Sequence, residues 1–444
     1  MKVVLIYPRF SWEETGPLQE PLGILYLASS LKKAGFEPRV LDLSFASDLN
    51  QLDSELKGAH LVGVSSSSAL FGRAIWVLEK IRQLQPSLPV VIGGPHPSAD
   101  PVSALKQGFD YAVVGEGERA MVELAEELAG GRDGSGLKGV WARKDGEIIP
   151  AGERGFIPDI NQIPFPARDL LDYPGYFSGG MIQVGVMLSR GCPHKCRFCK
   201  PMQDKLFGRK IRKRSPENVA EELEQAVKIT GRNFFLFRDD NLTSLGKEWF
   251  ERFCRELEQR RLKIYFSAQA RVNEIDEELI LLMKSCGLVG MAFGAESGSQ
   301  KILDYYQKGI RVEDTVRAFE LCKKHKIGTH CFIILGAPQE TKEDLAQTIE
   351  LVKRIQPDSL SLSRLTPAPG TYLFDAAKNN GILNCSDWEE WNYFTSRTPI
   401  RWKYLDEKDL EDAEQTLRRL VPGSAYYLRR REKIKRRRSD EDFS

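Results

Sequence analysis

Short apolar runs alternate with amphipathic stretches along most of this chain, and the alternation occurs twice. In the first series, residues 2–8, 39–43, 60–65, 90–92 and 111–114 read as buried strands. Helical patterns over 21–35, 71–84, 98–107 and 118–130 separate them; in the first, Leu22, Leu25, Ala28 and Leu31 recur near the helical period and Gly35 ends the run. Strands alternating with helices predict an α/β fold with a doubly wound parallel sheet, in which ligands gather outside the carboxyl ends of the strands. Those ends carry Ser65 and Ser66, Gly93, Gly94 and His96, and Gly115, Glu116 and Gly117. Small residues there let a backbone approach a large ligand closely. A hairpin over 139–150, turning at Asp145-Gly146, and a Gly- and Pro-rich linker over 151–180 follow. The second series has strands at 184–189, 233–238, 264–268, 290–294, 329–335 and 359–365, with helices at 215–229, 246–260, 274–285, 312–325 and 341–355. Six βα units predict an open or partial barrel with its site at the carboxyl ends of the strands.

The cysteines are unevenly placed. Of eight, none precedes Cys192, and Cys192, Cys196 and Cys199 form C-x3-C-x2-C directly after a predicted strand. A chain of 444 residues needs no disulfide framework, and a clustered trio suits a metal site in a reducing compartment. Thiolates are the usual ligands of Fe–S clusters; three cysteines on a four-iron cubane leave one iron open to substrate. The alternatives are a structural zinc site completed by His194 or a distant cysteine, and a chance cluster of inert thiols. Cys254, Cys286, Cys322, Cys331 and Cys385 read as small core residues. No apolar run is long enough to span a membrane, and the N-terminal run is too short for a signal peptide, which points to the cytoplasm. The net charge of +2 names no partner. Residues 429–438 hold eight basic side chains in ten, with no aromatic among them. That run reads as a solvated tail or as a peripheral contact with an anionic membrane; no nucleic acid is expected.

The cysteine motif resembles that of the radical S-adenosylmethionine (radical SAM) superfamily. The resemblance implies a [4Fe–4S] cluster on Cys192, Cys196 and Cys199 that cleaves S-adenosylmethionine to a 5′-deoxyadenosyl radical. It also implies an electron donor such as flavodoxin or ferredoxin. Phe198 matches the aromatic position near the adenine. Asp239 and Asp240 end the second strand of this series, where the family contacts the methionine amino group. Arg271 follows the third and suits a carboxylate. Glu296 ends the fourth, at a position that can bind ribose hydroxyls, and Gly336 ends the fifth, in the adenine-side segment. Helix caps, loop solvation and surface ion pairs are the ordinary alternatives for the charged members of this set.

The first 130 residues resemble the cobalamin-binding (B12-binding) Rossmann-like domain of one branch of that superfamily. The resemblance rests on Pro21 to Ala28, Gly93 to Ser98 and Val114 to Glu118, and assigns Ser65, Ser66, Gly93, Gly94, His96, Gly115, Glu116 and Gly117 to cobalamin. One motif is missing. None of His60, His96, His194, His325 and His330 follows an Asp by two residues, so Asp-x-His-x-x-Gly is absent and no histidine is nominated as a cobalt ligand. His96 is then either a contact to the corrinoid tail or an ordinary loop histidine. The implied organisation is a cobalamin-binding domain over 1–140, hairpin and linker over 141–180, a partial (β/α)6 radical SAM barrel over 181–375 and a small, mainly α C-terminal region over 376–444. The implied activity is methylation of an unactivated centre of a small molecule or lipid. Cyclisation or rearrangement, and a non-catalytic corrinoid-binding protein, are the alternatives. A methylthiotransferase would carry further cysteines in the N-terminal domain. Trp388, Trp391, Tyr393, Phe394 and Trp402 read as a substrate pocket or as the core of a small closing domain.

Overall fold

The computed structural model describes residues 1–8, 18–44, 49–384 and 399–422. In the first half, β1 (Lys2–Tyr7), β2 (Glu37–Asp42), β3 (Ala59–Ser65), β4 (Val90–Gly93) and β5 (Tyr111–Val113) form a parallel sheet. The hairpin of β6 (Val140–Lys144) and β7 (Glu147–Ile149) extends it antiparallel, giving the order β2-β1-β3-β4-β5-β6-β7. β1 shows why the strands read as unbroken apolar runs. Val4 and Ile6 pack into one core layer and Val3 and Leu5 into the other, so helices cover both faces. The helix expected over 98–107 is two helices, Pro95–Ala99 and Pro101–Lys106. Pro101 has no N–H with which to continue the first, and the Asp100 side chain caps the second by accepting from Ser103 N at 3.0 Å.

Residues 151–180, expected as a linker, are packed. Tyr173 and Tyr176, on the helix Tyr173–Ser178, join the core of the second half. Arg168 is 1% exposed, donates to Gly185 O and pairs with Glu222, both at 2.7 Å. The strand expected over 184–189 breaks in two. β8 (Val184–Val186) stays in the main sheet, while β9 (Ser189–Arg190) pairs antiparallel with β10 (Arg212–Lys213). β11 (Phe234–Phe237), β12 (Tyr265–Ala270), β13 (Leu288–Glu296), β14 (Gly328–Leu335) and β15 (Ser359–Arg364) follow. β8 and β11–β15 form a six-stranded parallel sheet whose spatial order is the chain order, as a partial barrel requires. Phe235, Phe237, Phe266 and Phe293 pack into the outer core. By alternation the opposite face carries Ser267, Ala292, Gly294, Ser361 and Ser363, which leave room within the curve. Helices begin on side-chain caps, as at Ser215 and Thr341.

Beyond β15, the helix Glu407–Leu420 lays Leu410, Ala413 and Leu417 onto the barrel core. Of the C-terminal aromatics only Trp402 is described; Trp388, Trp391, Tyr393, Phe394, Cys385 and the basic run 429–438 lie outside the described residues. Cys254 and Cys286, expected as separate core thiols, are joined as a disulfide. Among the described residues no helix is long and apolar enough to cross a membrane.

Candidate active site

The three cysteines occupy the loop between β9 and the helix Met202–Phe207. Its entry is fixed by Asp239, which is buried at the end of β11 and accepts from Leu188 N at 3.3 Å and from Ser189 Oγ. Burial pushes the Asp239 carboxyl up to about 7. Its oxygens thus hold the strand that leads into the loop, a role the sequence did not disclose. Asp240 is exposed and accepts from Gln203 Nε2 at 2.6 Å. Within the loop, Cys199 N and Lys200 N both donate to Cys196 O at 3.0 Å, and Lys200 Nζ donates to Cys192 O at 2.8 Å. Cys196 is buried, Cys192 and Cys199 are half-buried, and none has a disulfide partner. Burial pushes the Cys199 thiol up to about 12, and a bound cation would act in the opposite direction.

Other strand ends converge on this loop. Arg271 follows β12 with Nη1 3.6 Å from Cys196 Sγ; Nη2 donates to Lys308 O, and the buried Nε makes no hydrogen bond. Glu296, the last residue of β13, is buried with φ +62° and pairs with Lys308 at 2.7 Å. Left-handed backbone at a non-glycine is costly and concentrates at functional sites. Lys308 Nζ lies 5.6 Å from the Phe198 ring, which meets Tyr306 edge-on. Lys308 was missed in the sequence because it lies in a turn with no motif of its own. Gly336 follows β14 at φ +84°; its carbonyl accepts from Trp402 Nε1 at 3.0 Å, and its N–H donates to Glu340. The other Glu340 oxygen is buried without a partner, and burial pushes that carboxyl up to about 7. His194, the zinc alternative's fourth ligand, pairs instead with Glu274 at 2.6 Å. Among the described residues no three His, Cys, Asp or Glu side chains are grouped to hold a single ion. A cubane places no such demand, since each thiolate takes its own iron.

The doubly wound half presents a second site. A cavity of about 210 Å³ opens at its carboxyl strand ends, lined by Ser65, Gly93, Gly94, Gly115, Glu116 and Gly117 among others. Arg190, Leu206 and Phe207 close it from the barrel half. At Gly94, φ is +102° and a Cβ would lie 2.9 Å from Ser66 O, so only glycine shapes that wall. Of the expected contacts, Ser66 and His96 do not line this cavity, and the Glu116 carboxylate is committed to other partners. Ser66 is buried and donates to Ser67 O at 2.8 Å. His96 is fully buried, stacked on Phe71, with its ring nitrogens 3.1 Å from the hydroxyls of Ser68 and Ser103. Glu116 lines the cavity, but its carboxylate accepts from Arg190 at 2.7 Å, Arg212 at 2.9 Å and Ile157 N at 2.8 Å. Burial alone would raise that carboxyl; the hydrogen bond from Arg212 and the charge of Arg190 hold it below the usual range. No residue lining the cavity is a histidine.

These residues fit a cluster, S-adenosylmethionine and a corrinoid. Three unpaired thiols suit the irons, and the buried Arg271 guanidinium beside Cys196, whose Nε makes no hydrogen bond and lies 3.6 Å from Glu274, suits a carboxylate. The glycine-walled cavity is below the roughly 300–1,000 Å³ of common ligand pockets, so it suits an arm of a large ligand rather than the whole. The fold and the site thus define a cluster-bearing barrel joined to a corrinoid-type sheet.

Comparison with known proteins gives the family. Residues 186–352 match the radical SAM superfamily and residues 13–125 the B12 binding domain. An uncharacterized methyltransferase of Pyrococcus horikoshii is 30% identical over 98% of this chain and 94% of its own. The anaerobic magnesium-protoporphyrin IX monomethyl ester cyclase of Rubrivivax gelatinosus is 29% identical over 89% and 73%. Among solved structures, the radical S-adenosylmethionine methyltransferase TsrM from Kitasatospora setae, with cobalamin and a [4Fe–4S] cluster bound, shares the fold. Its TM-score is 0.74 at 20% identity, over 95% of this chain and 89% of that one. The cobalamin-dependent enzyme OxsB aligns at TM-score 0.75 and 18% identity, over 93% and 66%. This chain belongs to the B12-binding branch of the radical SAM superfamily, whose cofactors are a [4Fe–4S] cluster, S-adenosylmethionine and cobalamin.

Proposed function

We propose that this chain methylates an unactivated centre of a small molecule or lipid. The observation that carries the reading is the adjacency of the two sites: the helix Met202–Phe207 starts three residues after Cys199 and sends Leu206 and Phe207 into the wall of the glycine-lined cavity. When bound, the cluster supplies the electron that opens S-adenosylmethionine to a 5′-deoxyadenosyl radical, and cobalamin carries the methyl group. Cys192, Cys196 and Cys199 hold the cluster. Arg271 faces the methionine carboxylate and Asp240 its amino group, Glu296 the ribose, and Phe198 and Gly336 the adenine. Ser65, Gly93, Gly94, Gly115 and Gly117 bear on the corrinoid through backbone and small side chains. The substrate lies between the two strand-end faces, where near-contact geometry makes a reactive radical selective. An electron donor such as flavodoxin or ferredoxin, a cytoplasmic setting and a membrane contact through the run 429–438 complete the reading.

The test is anaerobic turnover with candidate substrates. Methyl transfer yields S-adenosylhomocysteine and 5′-deoxyadenosine in about equal amounts, one from each use of S-adenosylmethionine. Deoxyadenosine alone, formed with product, would eliminate methyl transfer and favour the cyclase or rearrangement reading, which the Rubrivivax relative motivates. Neither nucleoside product with any substrate would favour a non-catalytic corrinoid-binding protein.

A further inference from the structure

From Lys195 to Arg214 the chain carries nine basic residues against one acidic residue, Asp204. The fold sorts eight of them into two sets; the ninth, Arg197, is half-buried and donates to Tyr305 O at 3.3 Å. Lys200, Arg212 and Arg214 turn inward onto Asp204, Glu116 and Glu222. Lys195, Lys205, Arg209, Lys210 and Lys213 remain exposed. Of these only Arg209 has a carboxylate partner, Asp204 at 3.9 Å, which Lys200 already holds more closely.

These five residues lie in the cysteine loop and in the segment that follows it, and the backbone of that segment reaches the first cysteine directly. Cys192 N donates to Gly208 O at 3.4 Å, and β10 pairs with β9 immediately before the first cysteine. Two exposed aromatics stand in the same collar. Phe156, 36% exposed, lies with its ring 5.1 Å from the Arg212 guanidinium. Tyr372, 52% exposed, donates its N–H to Lys200 O at 2.7 Å. Exposed aromatics beside arginine suit a protein interface, and most of the exposed cations around them have no carboxylate partner. In the reading given above the substrate lies between the two strand-end faces, so the collar is free for another task.

We infer that this collar docks an acidic one-electron carrier protein that reduces the cluster, an inference that rests on the reading of the site given above. In each encounter the carrier loses one electron and the cluster gains it; no bond forms or breaks at the collar. Field lines from a cationic rim speed the encounter of an oppositely charged partner.

The test is stopped-flow reduction of the anaerobically reconstituted full chain, with reduced ferredoxin as one donor and photoreduced deazariboflavin, small and uncharged, as the other. Lys205→Glu, Arg209→Glu and Lys210→Glu are combined; a second protein carries Gln at the same positions. With ferredoxin at low salt, the Glu variant slows by about tenfold or more and the Gln variant by less. Added salt slows the unmodified chain and has little effect on the Glu variant. Iron content and reduction by deazariboflavin stay unchanged in all three. Equal, salt-independent ferredoxin rates in all three, with normal deazariboflavin reduction, would overturn the docking surface alone. Failure of deazariboflavin to reduce the unmodified chain would instead overturn the iron–sulfur reading, and the inference with it.

Discussion

Replacing Arg190 tests whether the two halves are joined by charge. Arg190 ends β9, two residues before Cys192, and is 4% exposed. It donates to Glu116 at 2.7 Å and to Glu118, both from the doubly wound half. Arg212 completes the group by donating to Glu116 at 2.9 Å, so two positive and two negative charges balance in a buried joint. Arg190→Met keeps a long side chain and leaves the group with one excess negative charge, Glu118 having lost its partner. Removing one member of a buried pair costs about 3–5 kcal/mol, because the remaining charge stays desolvated. That corresponds to a melting-temperature loss of about 3–10 °C, the larger value if the halves unfold separately. Adding Glu118→Gln restores neutrality, and most of the loss should return. Thermal unfolding of the three proteins measures this, and cobalamin content should follow the same order because Arg190 and Glu118 line the cavity. A single variant melting within about 1 °C of the parent, or a double variant no better than the single, would refute the argument.

Three further outcomes are expected. Burial pushes His96 down to about 4, below the value near 6.5 of an unfolded histidine, so its contribution is complete above pH 6.5 and drains as pH falls toward 4. At about 1.4 kcal/mol per unit this is about 3 kcal/mol; His96→Gln should flatten the loss of stability between pH 7 and 5, and an unchanged slope would clear His96 as its source. Gly336→Ala forces a left-handed alanine whose Cβ would lie 2.8 Å from Trp402 Nε1, at a strain of about 1 kcal/mol or more. The KM for S-adenosylmethionine should rise at constant iron content; loss of iron would show that the change spreads beyond the adenine side. Replacing Cys192, Cys196 and Cys199 together with Ala should remove the roughly four irons of the reconstituted protein, and iron retained by the variant would exclude them as the ligands.

The strands were legible because parallel strands buried on both faces are written as unbroken apolar runs, as in Val3 to Ile6. The cysteine trio was legible because its members are close together in the chain. What the sequence concealed are pairings across distance. Glu116 was placed against cobalamin by its position after Gly115, yet its partners are Arg190 and Arg212, 74 and 96 residues away. Arg168 sat in an apparent linker because its partner, Glu222, is 54 residues further on. His96 looked like a loop residue until Phe71, Ser68 and Ser103 closed around it. These departures share a physical cause. A joint between two halves buries backbone and charge, and every buried polar group needs a partner. The polar residues nearest the joint therefore satisfy one another first. The wall of the cavity at the strand ends is left to positions that have no side chain to commit, Gly93, Gly94, Gly115 and Gly117, and the pattern of glycines was the part of that cavity written plainly in the sequence.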